Sequence, residues 1–137
     1  MADMIHFQVV SSDGTVFESM CSYVSAPLTD GEAGFLANHA PVLAALDEGV
    51  VKCRIGDDKY EYIAISGGVL SNAKNELTIL ARTGERAETI NLARAQSAKK
   101  RAEKRLEDKN SDIDLKRAEL SLQRAIAREK AYYMLHK

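Results

Sequence analysis

The sequence predicts a β + α protein, with an N-terminal antiparallel β-sandwich followed by a C-terminal antiparallel α-helical hairpin. All eight glycines and both prolines lie at or before Gly84, and these residues favour turns but interrupt helices. Every valine also precedes Gly84, whereas the remaining residues are rich in strong helix formers such as Ala, Leu, Lys and Glu. We therefore place the sandwich in residues 1–84 and the hairpin in residues 85–137.

Charge changes at the same boundary. Residues 1–84 have a net charge of −6 and residues 85–137 a net charge of +5, within a chain of 137 residues and net charge −1. No apolar run approaches the ~20 residues of a membrane span, and the first ten residues lack the features of a signal peptide. We expect a cytosolic protein with no direct membrane insertion.

The sequence contains none of the patterns that mark an enzyme active site. It has no nucleophile triad, no phosphate-binding glycine loop and no cluster of metal ligands. Cys21 and Cys53 lack CxxC spacing and lie in strand-like runs, which indicates buried thiols. We expect no catalytic residues, no required cofactor and no metal.

The first half contains many short runs with the period of a strand. In Ile5–Val9 the apolar residues alternate, as in a strand with one face in the core. Turn formers separate these runs at intervals of roughly 8 to 12 residues, which favours a sandwich or barrel. The further predicted strands are Val16–Phe17, Met20–Ala26, Ala33–Leu36, Pro41–Leu46, Gly49–Ile55, Lys59–Ile65, Gly68–Leu70 and Leu77–Ala81.

The segment Gly31–Pro41 has the densest loop chemistry of the sandwich. In one interpretation Glu32, Asn38 and His39 are exposed contact residues on a tight loop. In the other, Asn38 and Pro41 shape a turn and His39 forms a hydrogen bond within it. A single histidine near one glutamate is weak evidence for acid–base catalysis.

Two helices are predicted after Gly84. Asn91 is placed to cap a first helix that runs to Glu107. Ser111 and Asp114 resemble a capping box for a second helix ending near Leu135. The short connection predicts an antiparallel hairpin.

The predicted seam of the hairpin is mostly alanine. Its larger members are Leu92, Leu106, Leu115, Leu122 and Ile126. Burial of a leucine contributes ~1.5–3 kcal/mol and that of an alanine methyl under about 1 kcal/mol, so the seam is weak for its length. A ligand could therefore shift the arm between two states.

Three arginines of the hairpin could converge on an anion. Arg124 and Arg128 are one helical turn apart, and an antiparallel partner brings Arg94 near the end of the second helix. Guanidinium groups bind phosphate oxygens with paired donors. The alternative is a solvated basic face with local carboxylates.

Two loop motifs in this domain order resemble those of the epsilon subunit of bacterial rotary ATP synthases. The motifs are Gly31–Leu43 and Ile65–Leu70. The resemblance covers essentially the whole chain and implies a non-catalytic subunit on the cytoplasmic face of the cell membrane. It implies that the sandwich binds the gamma subunit and the c-ring, with Glu32 and His39 facing the ring. It also implies that the hairpin can fold down on the sandwich or extend into the catalytic head of alpha and beta subunits, where it inhibits ATP hydrolysis.

The resemblance further implies a regulatory ATP site on the folded-down hairpin. Some members of the family bind ATP through an Ile/Leu-Asp-x-x-Arg-Ala motif, which Ile90–Ala95 matches except that Asn91 replaces the aspartate. The loss of that charge is expected to weaken ATP binding severalfold. The implied contact residues are Glu85, Ile90, Asn91, Arg94, Ala95, Arg124 and Arg128.

A nucleic-acid-binding adaptor is the alternative function that the basic hairpin permits. The hairpin carries nine acidic residues and no aromatic residue before Tyr132. A nucleic-acid interface would be expected to be more strongly basic. The sequence therefore favours the ATP synthase subunit.

Overall fold

The computed structural model describes residues 3–108 and 112–137, and these form a sandwich of eight strands followed by two helices. The strands run in chain order without an intervening α-helix. A single 3₁₀ turn, Ala87–Thr89, joins the last strand to the first helix. The strands are β1 Ile5–Ser11, β2 Gly14–Cys21, β3 Tyr23–Leu28, β4 Gly31–Leu36, β5 Val42–Leu46, β6 Gly49–Gly56, β7 Lys59–Ala73 and β8 Glu76–Arg86.

Strand pairing confirms the predicted antiparallel sandwich and adds one parallel pair. The strand order is β2-β1-β8-β7-β5-β3-β4, and β6 pairs with β3 and β7. All pairs are antiparallel except β1 with β8, in which His6 lies beside Glu76. This contact joins the first and last strands of the sandwich, so both ends of the domain are fixed in one sheet.

Strand β7 is longer than predicted because it passes through two glycines. It unites the predicted strands Lys59–Ile65 and Gly68–Leu70, and it changes partner between them from β6 to β5. Gly67 and Gly68 have φ values of +58° and +131°. A Cβ atom at Gly68 would lie 2.1 Å from the Leu80 carbonyl oxygen, so only glycine fits there.

The core of the sandwich consists of large apolar side chains from the inner faces of the strands. Phe7, Val9, Val51 and Ile63 have no exposed surface, and alternate residues of β1 are buried as the sequence predicted. Cys21 and Cys53 are buried free thiols in the same cluster, which confirms their predicted burial.

The two predicted helices are present as α1 Leu92–Asp108 and α2 Asp112–Leu135, which pack against each other. Asn91 caps α1, since its Oδ1 accepts a hydrogen bond from the Arg94 backbone N–H at 3.0 Å. The predicted capping box of α2 depends on Ser111, which lies outside the described residues. No helix within 3–108 or 112–137 is both long enough and apolar enough to cross a membrane.

The hairpin is folded down on the outer face of β6 and β7. Val50 and Ala64 of these strands form a second apolar cluster with Ile90 and with small side chains of both helices. The small side chains are Ala95 of α1 and Ala127 and Ala131 of α2.

The predicted alanine seam is present, but one of its larger members is placed differently. Ala102, Ala118 and Ala125 are buried, whereas Ile126 is 43% exposed. The prediction for Ile126 is wrong because α2 packs on the sandwich as well as on α1, and both contacts use other faces of the helix.

Candidate functional site

The candidate site lies where the hairpin meets strand β8. Glu85 stands near the end of β8, opposite Ala64 of β7. Arg128 of α2 donates two hydrogen bonds to its carboxylate, from Nε at 3.0 Å and from Nη2 at 3.4 Å. Both side chains are about one-third exposed, and their ion pair joins the hairpin to the sandwich.

Arg128 borders three cavities, which makes it the centre of the site. The first, which we call the junction pocket, has a volume of about 180 Å³ and lies between Glu85, Gly84 and Arg124. The other two adjoin each other along the hairpin, and we call them together the arginine groove.

The arginine groove has two parts that share Arg101 and Arg128. The part near the start of α1 has a volume of about 650 Å³ and is also lined by Asn91 and Arg94. The part further along the hairpin has a volume of about 330 Å³ and is also lined by Arg105 and Arg124. Among the residues that the structure describes, no carboxylate lines either part.

The structure brings together five of the predicted ATP-contact residues and separates two. Glu85, Asn91, Arg94, Arg124 and Arg128 line the junction pocket or the groove. Ile90 and Ala95 are buried beneath the hairpin, with 6% and 0% of their surface exposed, and line neither.

Two arginines of the groove were missed in the sequence. Arg101 and Arg105 follow Arg94 at intervals of seven and four residues, so all three lie on one face of α1. That spacing was a usable signal, because α2 presents Arg124 and Arg128 to the same groove. The groove therefore holds five guanidinium groups, an arrangement suited to a polyphosphate.

The predicted ring-facing residues lie away from this site. Glu32 is exposed on the edge strand β4, opposite Pro27. His39 is exposed in the loop after β4, where its Nδ1 is 2.8 Å from the Ala40 carbonyl oxygen and its ring packs at 5.0 Å from that of Phe35. Both features anticipated for His39, exposure and a hydrogen bond within the turn, are present.

The remaining chemistry of the described residues includes no metal centre. Within 3–108 and 112–137, no three His, Cys, Asp or Glu side chains are grouped so that they could hold a metal ion.

Two family models match the chain, one over each part of the fold. Residues 4–87 match the family model "ATP synthase, Delta/Epsilon chain, beta-sandwich domain", and residues 88–132 match "ATP synthase, Delta/Epsilon chain, long alpha-helix domain". The chain belongs to the ATP synthase delta/epsilon chain family.

Curated relatives of this chain are ATP synthase epsilon chains. The ATP synthase epsilon chain of Ligilactobacillus salivarius (strain UCC118) is 44% identical over 91% of this chain and 92% of its own length. The predicted function as a non-catalytic ATP synthase subunit is confirmed, and the nucleic-acid alternative has no support.

Solved structures with the same fold come from ATP synthases. One is a chain in a structure of the OSCP, F1 and c-ring of the Euglena gracilis mitochondrial ATP synthase. It aligns with a TM-score of 0.80 at 19% sequence identity, and the alignment covers 93% of this chain and 81% of the Euglena chain. A chain in the central stalk and c-ring structure of the Tetrahymena thermophila enzyme has a TM-score of 0.62 at 12% identity, with 96% and 98% of the two chains aligned. At these identities the likeness concerns the fold.

Proposed function

We propose that the chain is a central-stalk subunit that couples rotation to ATP synthesis and inhibits ATP hydrolysis by extending its hairpin. The observation that carries this proposal is the way the hairpin is held down. Among the described residues, the helical side chains fully buried against the sandwich are alanines, the larger Tyr132, Met134 and Leu135 are only partly buried there, and one ion pair joins the two parts. We therefore expect a modest free energy to detach the hairpin.

Reconstitution of the catalytic head tests the inhibitory role directly. ATP hydrolysis is measured with the full chain and with a chain that ends before Asn91. We expect the full chain to lower hydrolysis and the shortened chain to bind without lowering it. Equal hydrolysis rates with two chains that bind equally well would contradict the proposal.

The outer face of the sheet is the proposed docking surface for the gamma subunit. Val69 and Leu80 are paired in register on β7 and β8 and are 42% and 56% exposed. Leu43 on β5 is 75% exposed. It lies two residues from Ala45, which pairs with Val69, so Leu43 and Val69 are on the same face of the sheet. Such a continuous exposed apolar patch is typical of a protein interface.

A charge placed in this patch tests the gamma contact. Leu80→Asp should weaken binding of purified gamma subunit at least tenfold. Leu36→Asp is the matched control, because Leu36 is 62% exposed on the edge strand β4. Equal affinities for both variants would place the gamma contact elsewhere.

Glu32 and His39 are the proposed contact with the c-ring. Both are exposed, on β4 and on the loop that follows it, and either can hydrogen bond to a polar loop of a ring subunit. Cysteines introduced at these positions should cross-link to the ring in the assembled complex, and a cysteine at Asp57 in the β6–β7 turn should not. Contact with the c-ring would put the subunit peripherally at the cytoplasmic face of the cell membrane.

The arginine groove is the proposed regulatory ATP site. It offers five guanidinium groups for a triphosphate, and Asn91 at its end offers a side-chain amide for the base. ATP bound there would bridge α1 and α2 and hold the hairpin in the closed form described above.

Calorimetric titration of ATP tests the site. Arg124→Ala and Arg128→Ala should each weaken binding about tenfold or more, since each removes a charged hydrogen-bond donor. Arg117→Ala, an exposed arginine of α2 outside the groove, should leave the affinity unchanged. Asn91→Asp should strengthen binding severalfold if the side chain contacts the base. Unchanged affinity in both groove variants would exclude the site.

When the hairpin extends, its basic charge is proposed to contact the alpha and beta subunits of the head. The net charge of +5 on residues 85–137 would steer this approach toward acidic segments. Inhibition of hydrolysis should then weaken as ionic strength rises.

A further inference from the structure

A histidine on the outer face of the sandwich bonds two carboxylates at once. His6 lies at the start of β1, between β2 and β8. Its Nε2 is 2.6 Å from an Oε atom of Glu18 on β2, and its Nδ1 is 2.6 Å from an Oε atom of Glu76 on β8. The three side chains connect three adjacent strands of the sheet.

This geometry requires a proton. A carboxylate only accepts hydrogen bonds, and a neutral imidazole has only one N–H to donate. When both carboxylates are ionised, only the imidazolium form of His6 satisfies both contacts together. After loss of the proton, one contact is broken and two negative charges remain on neighbouring strands.

We propose that His6, Glu18 and Glu76 form a pH-sensitive clamp that fastens strand β1 when His6 is protonated and loosens it when the proton is lost. Within the described residues, Glu18 and Glu76 form no ion pair with a lysine or arginine. Their charge is therefore balanced locally by His6.

The pKa of His6 agrees with this geometry. Hydrogen bonds to Glu76 and then Glu18 raise the pKa above its ordinary value of 6.5. Because the pKa of His6 is higher in the folded than in the unfolded chain, protonated His6 stabilises the fold fully at pH below its unfolded-state pKa. This stabilisation is lost as the pH rises through the folded-state pKa. The clamp thus loosens on the alkaline side of pH 6.5.

The backbone connects the clamp to the loop that carries His39. The His6 backbone N–H donates to the Asn75 carbonyl oxygen at 2.8 Å. The Asn75 side chain in turn accepts from the Asn38 backbone N–H at 2.6 Å and donates to the Asn38 side chain at 3.2 Å. Loosening of β1 at His6 is thereby transmitted through Asn75 to the loop 37–41. A role of that loop at the ring depends on the proposed function, whereas the clamp does not.

Titration of the free chain by NMR tests the clamp. The His6 ring should titrate with a midpoint above 6.5 in the native chain. The midpoint should fall by at least half a unit in Glu18→Gln and in Glu76→Gln, and it should stay unchanged in Glu103→Gln, an exposed carboxylate of α1. A native midpoint at or below 6.5, or one that neither glutamine variant moves, would overturn the proposal.

The transmission to the loop has its own readout. Amide signals of residues 37–40 should shift with the His6 midpoint in the native chain. Asn75→Gly retains the positive φ of +61° but removes the side-chain link, and it should abolish this coupled shift while the His6 midpoint remains raised. Loop signals that still follow His6 in this variant would overturn the transmission step. None of these measurements uses the ATP synthase, so they are independent of the proposed function.

Discussion

The two apolar clusters of the molecule are built from different side chains. The sandwich core contains Phe7, Phe35, Ile63 and Leu70, each with at most 2% of its surface exposed. Among the described residues, the larger buried members of the cluster beneath the hairpin are Ile90 and Val50. Its buried helical side chains are alanines, and the larger Tyr132, Met134 and Leu135 of α2 are only partly buried against it. We therefore expect the hairpin contact to open more readily than the core.

This difference follows from how much apolar surface each side chain removes from water. A buried Phe or Ile contributes ~1.5–3 kcal/mol and an alanine methyl under about 1 kcal/mol. We therefore expect a rigid sandwich and an arm that can keep its helices while its packing changes.

The largest expected effect lies at the point where β7 changes partner. Gly68→Ala should destabilise the sandwich by about 3 kcal/mol or more, because a strained φ and an overlap with the Leu80 carbonyl add together. Gly14→Ala is the matched control: its φ of +117° is similar, but no atom lies within 4 Å of the added Cβ, so it should cost only about 1–2 kcal/mol. Chemical denaturation measures both. Equal losses of stability in the two variants would show that the backbone strain alone, and not the overlap with Leu80, accounts for the effect.

Two neighbouring valines of β6 belong to different clusters, so substitutions there test the two clusters one at a time. Val51 points into the sandwich core and Val50 toward the hairpin. Either change to alanine should remove about 2 kcal/mol, at ~0.8 kcal/mol for each carbon lost plus a cavity cost. Val51→Ala should lower the stability of the whole domain, measured by denaturation.

Val50→Ala should instead increase hydrogen exchange only in the hairpin and its contact. Amide protection in the sandwich strands should remain as in the native chain. If Val50→Ala also lowered the protection of β1 and β8, the two clusters would form one cooperative unit and the comparison would fail.

The capping residue of α1 tests whether the arm is stable as a helix on its own. Asn91→Ala should cost about 1 kcal/mol, since it removes the hydrogen bond to the Arg94 N–H. Asn91→Asp should retain or increase stability, because a carboxylate also interacts favourably with the helix N-terminus. Helical circular dichroism on heating measures this. An alanine variant as stable as the native chain would show that packing, not capping, fixes the start of α1.

The division into two parts was predictable because it depends on local properties. Glycine and proline disfavour helices wherever they occur, and Asn91 caps a helix through a residue only three positions away. The parallel pairing of β1 with β8 was not predictable in the same way. It joins residues about 70 positions apart, and no local pattern specifies such a contact.

The candidate site was predictable in part for a similar reason. Arg124 and Arg128 stand out by their spacing, and Arg101 and Arg105 could have been found in the same way. The burial of Ile90 and Ala95 and the exposure of Ile126 depend on which face of the hairpin meets the sandwich. Tertiary packing decides which face that is, and the helical periodicity of one segment cannot predict it.

The smallest expected effect concerns the ion pair that holds the arm to the sandwich. Glu85→Gln should weaken docking of the hairpin by about 0.5 kcal/mol, because both partners are partly exposed and water screens their attraction. Glu129→Gln is the control: its ion pair with Lys99 joins α1 to α2 and leaves the sandwich contact unchanged. Distance measurements between a label on β6 and one on α2 report the open fraction, which should rise about twofold only in Glu85→Gln. The difference from the native chain should shrink at high salt, since screening removes the same attraction. A large, salt-independent opening would mean that Glu85 fixes the arm by packing, and the hairpin contact would then resemble the core more closely than its alanine surface indicates.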